Sequence, residues 1–284
     1  MFAIIGVVVV VVGVVVGFTM AGGNLLLLIQ ISEFVTIGGA AIGSLLISSP
    51  ASLIKKIFSQ ITQIFKSHKN TKEDYIEMLK SINTLFLTAQ REGLLTIEKH
   101  IEKPEESDIL NKSKMLIHDE LKKNFFCDTM KVMLAGSVPP HDMENLMDTE
   151  IETFVAENRP ISETIGKVGD ALPGLGIVAA VLGIIVTMGS INQGAEAVGH
   201  HVAAALVGTF LGVLLSYGFV NPMASNLHHI VEEKVQDLQI IKAFIIGFAK
   251  GNPPLVAAEM ARRVIFSDER PTFQELEAAL RGKK

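Results

Sequence analysis

Small and hydroxyl side chains recur at helical spacing in two long apolar stretches of this 284-residue sequence. In the stretch near residues 170–191 they follow one another at steps of three and four, at Pro173, Gly176, Ala180, Gly183, Thr187 and Ser190. In the stretch near 200–222 the same pattern is formed by Ala205, Thr209, Gly212 and Ser216. In lipid, such faces either let helices pack closely or line a passage. Each face alone leaves both alternatives open, and two faces on consecutive stretches favour a shared function.

The chemistry available to these faces is limited to hydroxyl and backbone oxygens. We expect no Asp, Glu, Lys or Arg inside the core of any apolar stretch, although ionisable residues are the usual proton carriers within membranes. If the protein moves protons, a partner helix must therefore supply the carboxylate.

The sequence lacks the signatures of enzymes and of metal or nucleotide sites. The segment "GLGIVA" has the dinucleotide spacing G-x-G-x-x-A, but no strand or βαβ unit surrounds it. His200-His201 and His228-His229 are adjacent pairs that point to different helix faces and make poor metal chelates. The net charge of −5, without a basic stripe, argues against nucleic acid as a partner. We therefore expect no enzyme activity and no cofactor, apart from a transported ion.

Four segments are long enough to cross a bilayer, which takes about 20 apolar residues in a helix. They lie at roughly residues 2–20, 29–49, 170–191 and 200–222. All 25 Lys and Arg residues lie outside these spans, in the blocks Lys55–Lys167 and Lys234–Lys284. By the positive-inside rule both blocks are cytoplasmic, and the two termini are then cytoplasmic as well.

The predicted fold is therefore all-α, a polytopic membrane protein with four transmembrane helices and a helical cytoplasmic domain. The topology divides the chain into spans one and two with a short periplasmic linker (1–49), a cytoplasmic helical domain (50–168), spans three and four (169–222) and a cytoplasmic helical tail (223–284). The single cysteine, Cys127, lies in the first charged block and is predicted to be a reduced cytosolic thiol.

The segment after the second span, "ASLIKKIFSQITQIFK", places apolar side chains at helical spacing, with Lys55, Lys56 and Lys66 on the polar side. This pattern predicts an amphipathic helix lying at the cytoplasmic membrane interface. The alternative is an ordinary core helix of the cytoplasmic domain.

The cytoplasmic residues 71–165 are predicted to form helices, with Asp142 as the N-cap of one of them. Breaks between these helices are predicted at the segments "EKPEESD", "GSVPPHD" and "ENRP". In the tail, one helix is predicted to close at Gly251 and another to follow Pro253-Pro254.

Pro173 and Pro222 are predicted to lie at a similar depth in the membrane, near its cytoplasmic side. Span three begins near residue 170 on that side, and span four returns to it near residue 222. Within a continued helix, each proline leaves a carbonyl four residues back without a donor, at Gly169 and Gly218 respectively. The alternative for Pro173 is a harmless position at a helix end, with Asp170 as its N-cap. Asp170 lies outside the apolar core, so we interpret it as a cap or an exit-side charge.

Several long motifs resemble the MotA family of flagellar motor stator subunits, within the MotA/TolQ/ExbB proton channel group. "GDALPGLGIVAAVLG" and "LVGTFLGVLLSYGFVNPMA" resemble the family's third and fourth spans, and "GFTMAGGNLLLLIQISEFVTIGGAAIGSLL" resembles its first two. "REGLLTIEKHIEKP" and "GNPPLVAAEMARRVIFSDERPTFQELE" resemble its cytoplasmic loop and tail. The resemblance covers almost the whole chain, in order.

The resemblance implies an assembly in the bacterial inner membrane. In the family, five MotA chains surround two helices of MotB, which supplies the ion-carrying Asp and the peptidoglycan anchor. Ion flow is thought to turn the ring, whose cytoplasmic domains push charged residues of the rotor protein FliG. The small-residue face of span three would then be a wall against MotB.

The family's ion-path residues can be matched to positions of this chain. Pro173 and Pro222 match its two span prolines, and Thr209 matches its span-four threonine near the ion path. Ala180 occupies the position where sodium-driven relatives tend to have Thr, so a ligand for dehydrated Na⁺ is missing. The resemblance therefore favours H⁺ as the transported ion, with Na⁺ as the alternative because Thr209 remains and MotB also contributes.

The family's rotor-facing charges match less evenly. Glu98 matches its rotor-facing glutamate, whereas Gln90 stands where the family often has Arg, and Arg91 follows it. This shift by one residue turns the positive charge by about 100° around a helix. Arg91 or Lys99 could take over the role, and the competing interpretation is that these are ordinary solvated surface charges.

Two alternative functions remain at this point. One is an ExbB/TolQ-type subunit that energises an outer-membrane system; such proteins usually have three spans. The other is a helical membrane scaffold without ion coupling, for which Pro173 and Thr209 would be replaceable.

Overall fold

The computed structural model describes residues 2–65, 70–136, 138–189, 192 and 194–282, without the side chains of residues 196, 197 and 200. Ser190, one member of the span-three face, lies outside these residues. Throughout the described part the regular structure is helical and contains no strand. The all-α prediction is confirmed.

Four helices are long and apolar enough to cross a membrane, as predicted. The segments that meet the criterion are Phe2–Met20, Leu25–Ser48, Pro140–Gly189 and His201–Ala249. The last two extend well beyond a bilayer's width, since a helix rises about 1.5 Å per residue.

The chain divides into two compact units. One consists of Met1–Ser67 and Glu157–Val231, and the other of His68–Ala156 and Glu232–Lys284. These boundaries differ from the predicted division between membrane and cytoplasm, because the helix after span two and the residues around 157–168 and 223–231 belong to the same unit as the spans. The division by membrane and water stays a prediction.

The first unit contains the four spans and the helix that follows span two. Its elements are α1 (Phe2–Met20), a 3₁₀ turn (Leu25–Leu28), α2 (Ile31–Ser48), α3 (Ala51–Ile64), the later part of α8 (Pro140–Gly189), α9 (Ala195–Leu215), a π-helical turn (Ser216–Val220) and the first part of α10 (Asn221–Ala249). Spans two, three and four share a buried cluster formed by Ile37, Ala41, Leu172, Ala179, Val207 and Leu211.

The amphipathic helix α3 packs on α8 and α10 within this unit. Its buried Ile57 and Ile64 form a cluster with Ile161, Ile165 and other apolar side chains. On its polar side, Lys56 forms an ion pair of 3.0 Å with Glu157. These contacts lie in the unit that contains the spans, which favours the interfacial helix over a core helix of the cytoplasmic domain, and the location at a membrane interface stays a prediction.

The second unit is a helical bundle with an aromatic centre. Its elements are α4 (Lys72–Glu92), a 3₁₀ turn (Leu94–Ile97), α5 (Glu98–Glu102), a 3₁₀ turn (Leu110–Lys112), α6 (Lys114–Ile117), α7 (Glu120–Ala135), the first part of α8, the later part of α10, α11 (Pro254–Val264) and α12 (Phe273–Leu280). The ring of Phe86 stacks on Phe248 at 4.2 Å and meets Phe244 edge-on at 5.4 Å. Burial raises the pKa of the Cys127 thiol to about 11, so this thiol is protonated at neutral pH.

A buried ion pair connects three helices of the second unit. Lys122 Nζ lies 2.7 Å from Asp237, and Tyr75 and Asn70 each donate a hydrogen bond of 2.9 Å to the same carboxylate. Because every oxygen of Asp237 has a donor, the cost of burying this charge is offset locally. This cluster fixes α4 and α7 against α10.

The predicted ends of the helices are confirmed in most places. The chain leaves helical structure after Glu102 and after Ala135, and Gly251 follows α10 with a left-handed φ of 83°. The predicted N-cap at Asp142 is wrong, because α8 begins at Pro140 and Asp142 lies in its first turn. Proline suits a first helical position, where its missing N–H costs nothing.

The break predicted at "ENRP" is also wrong, since Pro160 lies inside α8. A proline within a helix removes one hydrogen bond. The neighbouring Ile161 and Ile165 are buried in the first unit, and their burial offsets that loss.

Candidate functional site

Pro173 lies in the interior of α8, which continues beyond it to Gly189. Asp170 lies in the same uninterrupted helix, so its predicted alternative role as an N-cap is wrong. The helix continues because Leu172, next to the proline, is buried against spans two and four. The proline has no N–H, and the Gly169 carbonyl therefore lacks its helical donor, as predicted for a continued helix.

Pro222 follows a widened turn. Residues Ser216–Val220 are π-helical, and the Asn221 N–H bonds to the Ser216 carbonyl five residues back. Such a turn spreads the backbone and lets it pass a residue that cannot donate, and π-helical turns are frequent at functional sites. The two span prolines thus differ locally, since one is accommodated in an α-helix and the other follows a π-helical turn.

Asn221 joins the two proline-bearing helices. Its side-chain amide donates to Asp170 at 3.0 Å and lies 3.4 Å from the Ser216 hydroxyl. Gly169 makes this approach possible, because a Cβ at that position would collide with the Asn221 side chain. Asp170 is exposed and Ser216 is fully buried, so the amide links a water-accessible carboxylate to a buried hydroxyl.

Sequence reasoning missed Asn221. The available signal was an amide residue directly before Pro222, at the predicted cytoplasmic end of span four, where Asp170 lies at the corresponding end of span three.

The glycines of the two small-residue faces bring α8 and α9 into backbone contact. A Cβ on Gly176 would lie 2.7 Å from the Gly208 carbonyl oxygen, and one on Gly212 would lie 2.6 Å from the Leu172 carbonyl oxygen. A Cβ on Gly183 would lie 2.8 Å from the Ala205 side chain. For these residues close packing is the correct alternative. The prediction that the whole span-three face forms a wall against MotB is therefore wrong for Gly176 and Gly183, which face α9 of their own chain.

We call the contact between α8 and α9 at Gly176, Gly183, Gly208 and Gly212 the seam. The predicted ion-path residues Ala180 and Thr209 border it, and both are partly exposed. A Cβ on Gly208 would lie 3.2 Å from the Ala180 backbone nitrogen, so Thr209 and Ala180 belong to adjoining turns of the two spans. The Thr187 hydroxyl is fully buried and donates to the Gly183 carbonyl at 2.8 Å. Of the predicted hydroxyls on the seam, that of Thr187 is thus occupied by its own helix.

Glu33 contradicts the expectation that the spans contain no ionisable residue. It lies in the first turn of α2, within the membrane-spanning segment Leu25–Ser48. Its side chain is 7% exposed, and among the residues that the structure describes its Oε2 has no hydrogen-bond partner. A Cβ on Gly208 would lie 2.5 Å from this oxygen. The signal was present, because Glu33 falls inside the stretch 29–49, near its start.

The predicted rotor-facing charges lie in the second unit, on either side of a short connection. Arg91 lies in the last turn of α4, and Glu98 begins α5 after the 3₁₀ turn Leu94–Ile97. Both side chains are exposed, and neither forms an ion pair within the described part of the chain. Lys99 and Gln90 are exposed as well. All four are available to a partner, and the choice between Arg91 and Lys99 stays open.

No group of three or more His, Cys, Asp or Glu side chains suited to a metal occurs among the residues with described positions. The arrangement places the buried Glu33 carboxylate against Gly208, which also adjoins Ala180, and leaves the charges of Arg91 and Glu98 exposed at the surface of the second unit.

Two protein families match consecutive parts of the chain. Residues 4–93 match the Motility protein A N-terminal family, and residues 117–240 match the MotA/TolQ/ExbB proton channel family. The chain is 35% identical over 266 residues to Motility protein A of Salmonella typhimurium, covering 94% of this chain and 90% of that protein.

Two solved structures contain a chain with the same fold. The structure of C. jejuni MotAB contains a chain with a TM-score of 0.81 at 21% identity, covering 95% of this chain and 98% of that one. The flagellar MotAB stator complex from Bacillus subtilis gives a TM-score of 0.75 at 24% identity, with coverage of 90% and 92%.

Proposed function

The chain belongs to the Motility protein A (MotA) family, and we propose that it works with MotB to convert ion-motive force into torque on the rotor protein FliG. Membership in this family makes it a membrane-embedded stator and ion-channel subunit, not an enzyme. The proposal adds the partner, the direction of energy conversion and the rotor protein to that role.

The observation that carries the proposal is the hydrogen-bonded connection between the two proline-bearing helices. Asn221 connects α10 to Asp170 of α8, beside Pro173 and Pro222. Each proline lacks a backbone donor, so the helices at this level are held by fewer backbone hydrogen bonds than elsewhere. Such a region can change its hydrogen bonding when an ion binds nearby, and a motor needs this coupling.

MotB is the proposed partner because the similar solved structures are MotAB complexes. We assign to MotB the ion-carrying Asp and the peptidoglycan anchor, and we place five copies of this chain around it by family resemblance. The membrane is the bacterial inner membrane, with both termini cytoplasmic. Arg91 and Glu98 are the proposed contacts with FliG, since both are exposed and free of ion pairs in the described structure.

The proton is the proposed ion. Ala180 offers a methyl group where a hydroxyl could have bound Na⁺, and a proton needs only a carboxylate and water. Thr209 remains on the neighbouring span, so Na⁺ is the alternative outcome of an ion-replacement test.

An ExbB/TolQ-type energising role is the second candidate, because one matching family includes those proteins. The four membrane-spanning helices and the match of residues 4–93 to the motility-specific N-terminal family favour the flagellar role.

The function can be tested by expressing the chain with its MotB in cells that lack a stator. The wild-type chain should restore rotation of tethered cells. Pro173→Ala should abolish rotation while the protein still reaches the membrane and co-purifies with MotB, because the freed Gly169 carbonyl regains a donor. Pro160→Ala is a matched control, since it removes another proline from the interior of the same helix.

Rotation by the Pro160→Ala variant with loss in Pro173→Ala would support the coupling role. A wild-type chain that binds MotB without rotating the cell, or a Pro173→Ala variant with normal torque, would count against it.

A further inference from the structure

We propose that Glu33 is a proton-binding site on this chain's own side of the ion path. The inference rests on the proposed function as an ion-driven stator and adds a titratable group to the part of the path that this chain forms. It is carried by the burial of the carboxylate, its missing hydrogen-bond partner and its location where three spans meet.

One oxygen of the carboxylate is enclosed without a hydrogen-bond partner among the described residues. Glu33 is 7% exposed, and its Oε2 lacks a partner among the described residues. An ionised carboxylate in such surroundings carries a large desolvation cost, whereas the protonated form is much less costly. Binding a proton is the simplest way for this side chain to remain buried.

The surrounding residues leave space for the carboxylate. The Oε2 atom lies against Gly208, where any side chain would approach it to 2.5 Å. The same glycine contacts Ala179 and the backbone nitrogen of Ala180 on α8. The site therefore lies where α2, α8 and α9 meet, beside the predicted ion-path residues Ala180 and Thr209.

Few charged groups surround this position. On α9, His201 lies seven residues before Gly208, a rise of about 10 Å. On α8, Asp170 lies ten residues before Ala180, a rise of about 15 Å, and is bonded to Asn221. The nearest Lys residues in sequence, Lys55 and Lys56, follow the opposite end of α2 on α3.

The remaining elements against this site add no titratable side chain. The sequences of α1 and of the turn Leu25–Leu28 contain no acidic or basic residue. The described neighbours at Gly208, Ala179 and Ala180 carry no side-chain oxygen, so they suit a proton better than a metal ion, which needs several oxygen ligands.

A simpler role for Glu33 is an acidic residue that stabilises the N-terminus of α2. That role requires the ionised carboxylate, and its typically small gain does not offset the cost of burying a charge whose Oε2 has no partner among the described residues. The proposed step is proton uptake by the Glu33 carboxylate from the outer side, followed by loss of the same proton to the next acceptor. The carboxylate is regenerated, and no other reactant is required.

The test uses the full chain co-expressed with MotB and compares Glu33→Gln, Glu33→Asp and Ser32→Ala. Ser32 is the exposed neighbour of Glu33 and provides the matched control. Rotation speed is measured against external pH at fixed internal pH, and membrane content and co-purification with MotB are checked for each variant. Proton uptake is measured in parallel in phosphatidylethanolamine–phosphatidylglycerol vesicles that contain the complex and a pH-sensitive dye.

We expect Glu33→Gln to reduce speed and proton uptake several-fold and to flatten their dependence on external pH. Glu33→Asp should keep a pH dependence with a displaced midpoint, and Ser32→Ala should match the wild type. Wild-type behaviour of Glu33→Gln would overturn the proposal. An equal loss in both Glu33 variants with an unchanged pH profile would also overturn it, because that result indicates a structural role. If the wild-type complex takes up protons in vesicles but does not rotate cells, the motor function fails while the vesicle comparison still decides the role of Glu33.

Discussion

Polar side chains in the spans differ in whether their hydrogen bonds are already made. Thr187 donates to its own helix, and Ser216 lies within reach of the Asn221 amide. Glu33 Oε2 has no such partner in the described structure. Since a satisfied hydroxyl gains little from a passing ion, we infer that the unsatisfied carboxylate is the more responsive group.

At the surface of the second unit the same reasoning applies to charge. Many exposed charges there are already paired with a neighbour, as Lys103 is with Glu106 at 3.1 Å and Lys131 with Asp128 at 2.9 Å. Glu98 and Arg91 carry charge without such a pair in the described residues. A protein partner can therefore approach them without first breaking an ion pair.

Reversing the charge of Glu98 should weaken the contact with the rotor. We expect Glu98→Lys to lower the torque of tethered cells, and a compensating charge reversal on FliG to restore part of it. Glu77→Lys is a suitable control, because Glu77 is an exposed acid on α4 fourteen residues before Arg91, about 21 Å along the helix. If no rotor charge restores the torque, Glu98 is an ordinary surface residue.

At the scale of elements, glycines determine how closely α8 and α9 approach. Gly176 and Gly212 face each other across the seam, where added Cβ atoms would contact backbone atoms of the other helix. Gly174, on the same helix as Gly176, is exposed, and a Cβ added there would meet no atom within 4 Å. Comparing Gly174 with Gly176 therefore separates the effect of packing from the effect of losing a flexible glycine.

Gly176→Ala should force the two helices apart, because the new methyl group would lie 2.7 Å from the Gly208 carbonyl oxygen. Overpacking of this kind typically costs about 1–3 kcal/mol. We expect a lower thermal unfolding temperature of the detergent-solubilised complex with MotB and reduced torque. Gly174→Ala should leave both unchanged, and equal effects of the two substitutions would disprove the packing argument.

At the scale of the whole molecule, the driving ion depends on several helices together. We propose a proton because of Ala180 and Glu33, whereas Thr209, on the adjoining turn of α9, retains a hydroxyl. The conduction path would combine these groups with the carboxylate that we assign to MotB. On this proposal we expect the choice of ion to be a property of the assembled complex and not of any single residue of this chain.

We expect rotation to continue at unchanged speed when sodium is replaced by potassium at constant pH and ionic strength. Collapse of the proton gradient with an uncoupler should stop it. The measurement is the speed of tethered cells that carry this chain and its MotB, with a sodium-driven motor as the control. Rotation that ceases without sodium would contradict the assignment of the proton.

The number of spans, the all-α class and the family could be predicted from the sequence alone. Span length and apolar character are local properties, and the order of several long motifs identifies the family without knowledge of contacts. The ends of α7 and α10 were predictable for the same reason, because Pro and Gly act on the backbone next to them.

The tertiary structure alone decided which faces meet and which polar groups remain unsatisfied. The helical spacing of Gly176 and Gly183 allowed either a pore wall or a packing seam, and the position of α9 selected the seam. Pro160 ends no helix because Ile161 and Ile165 are buried beside it. Glu33 gained its significance from Gly208, which is distant in sequence and adjacent in space. Local patterns fix an element and its faces, but burial and hydrogen-bond satisfaction depend on contacts between elements.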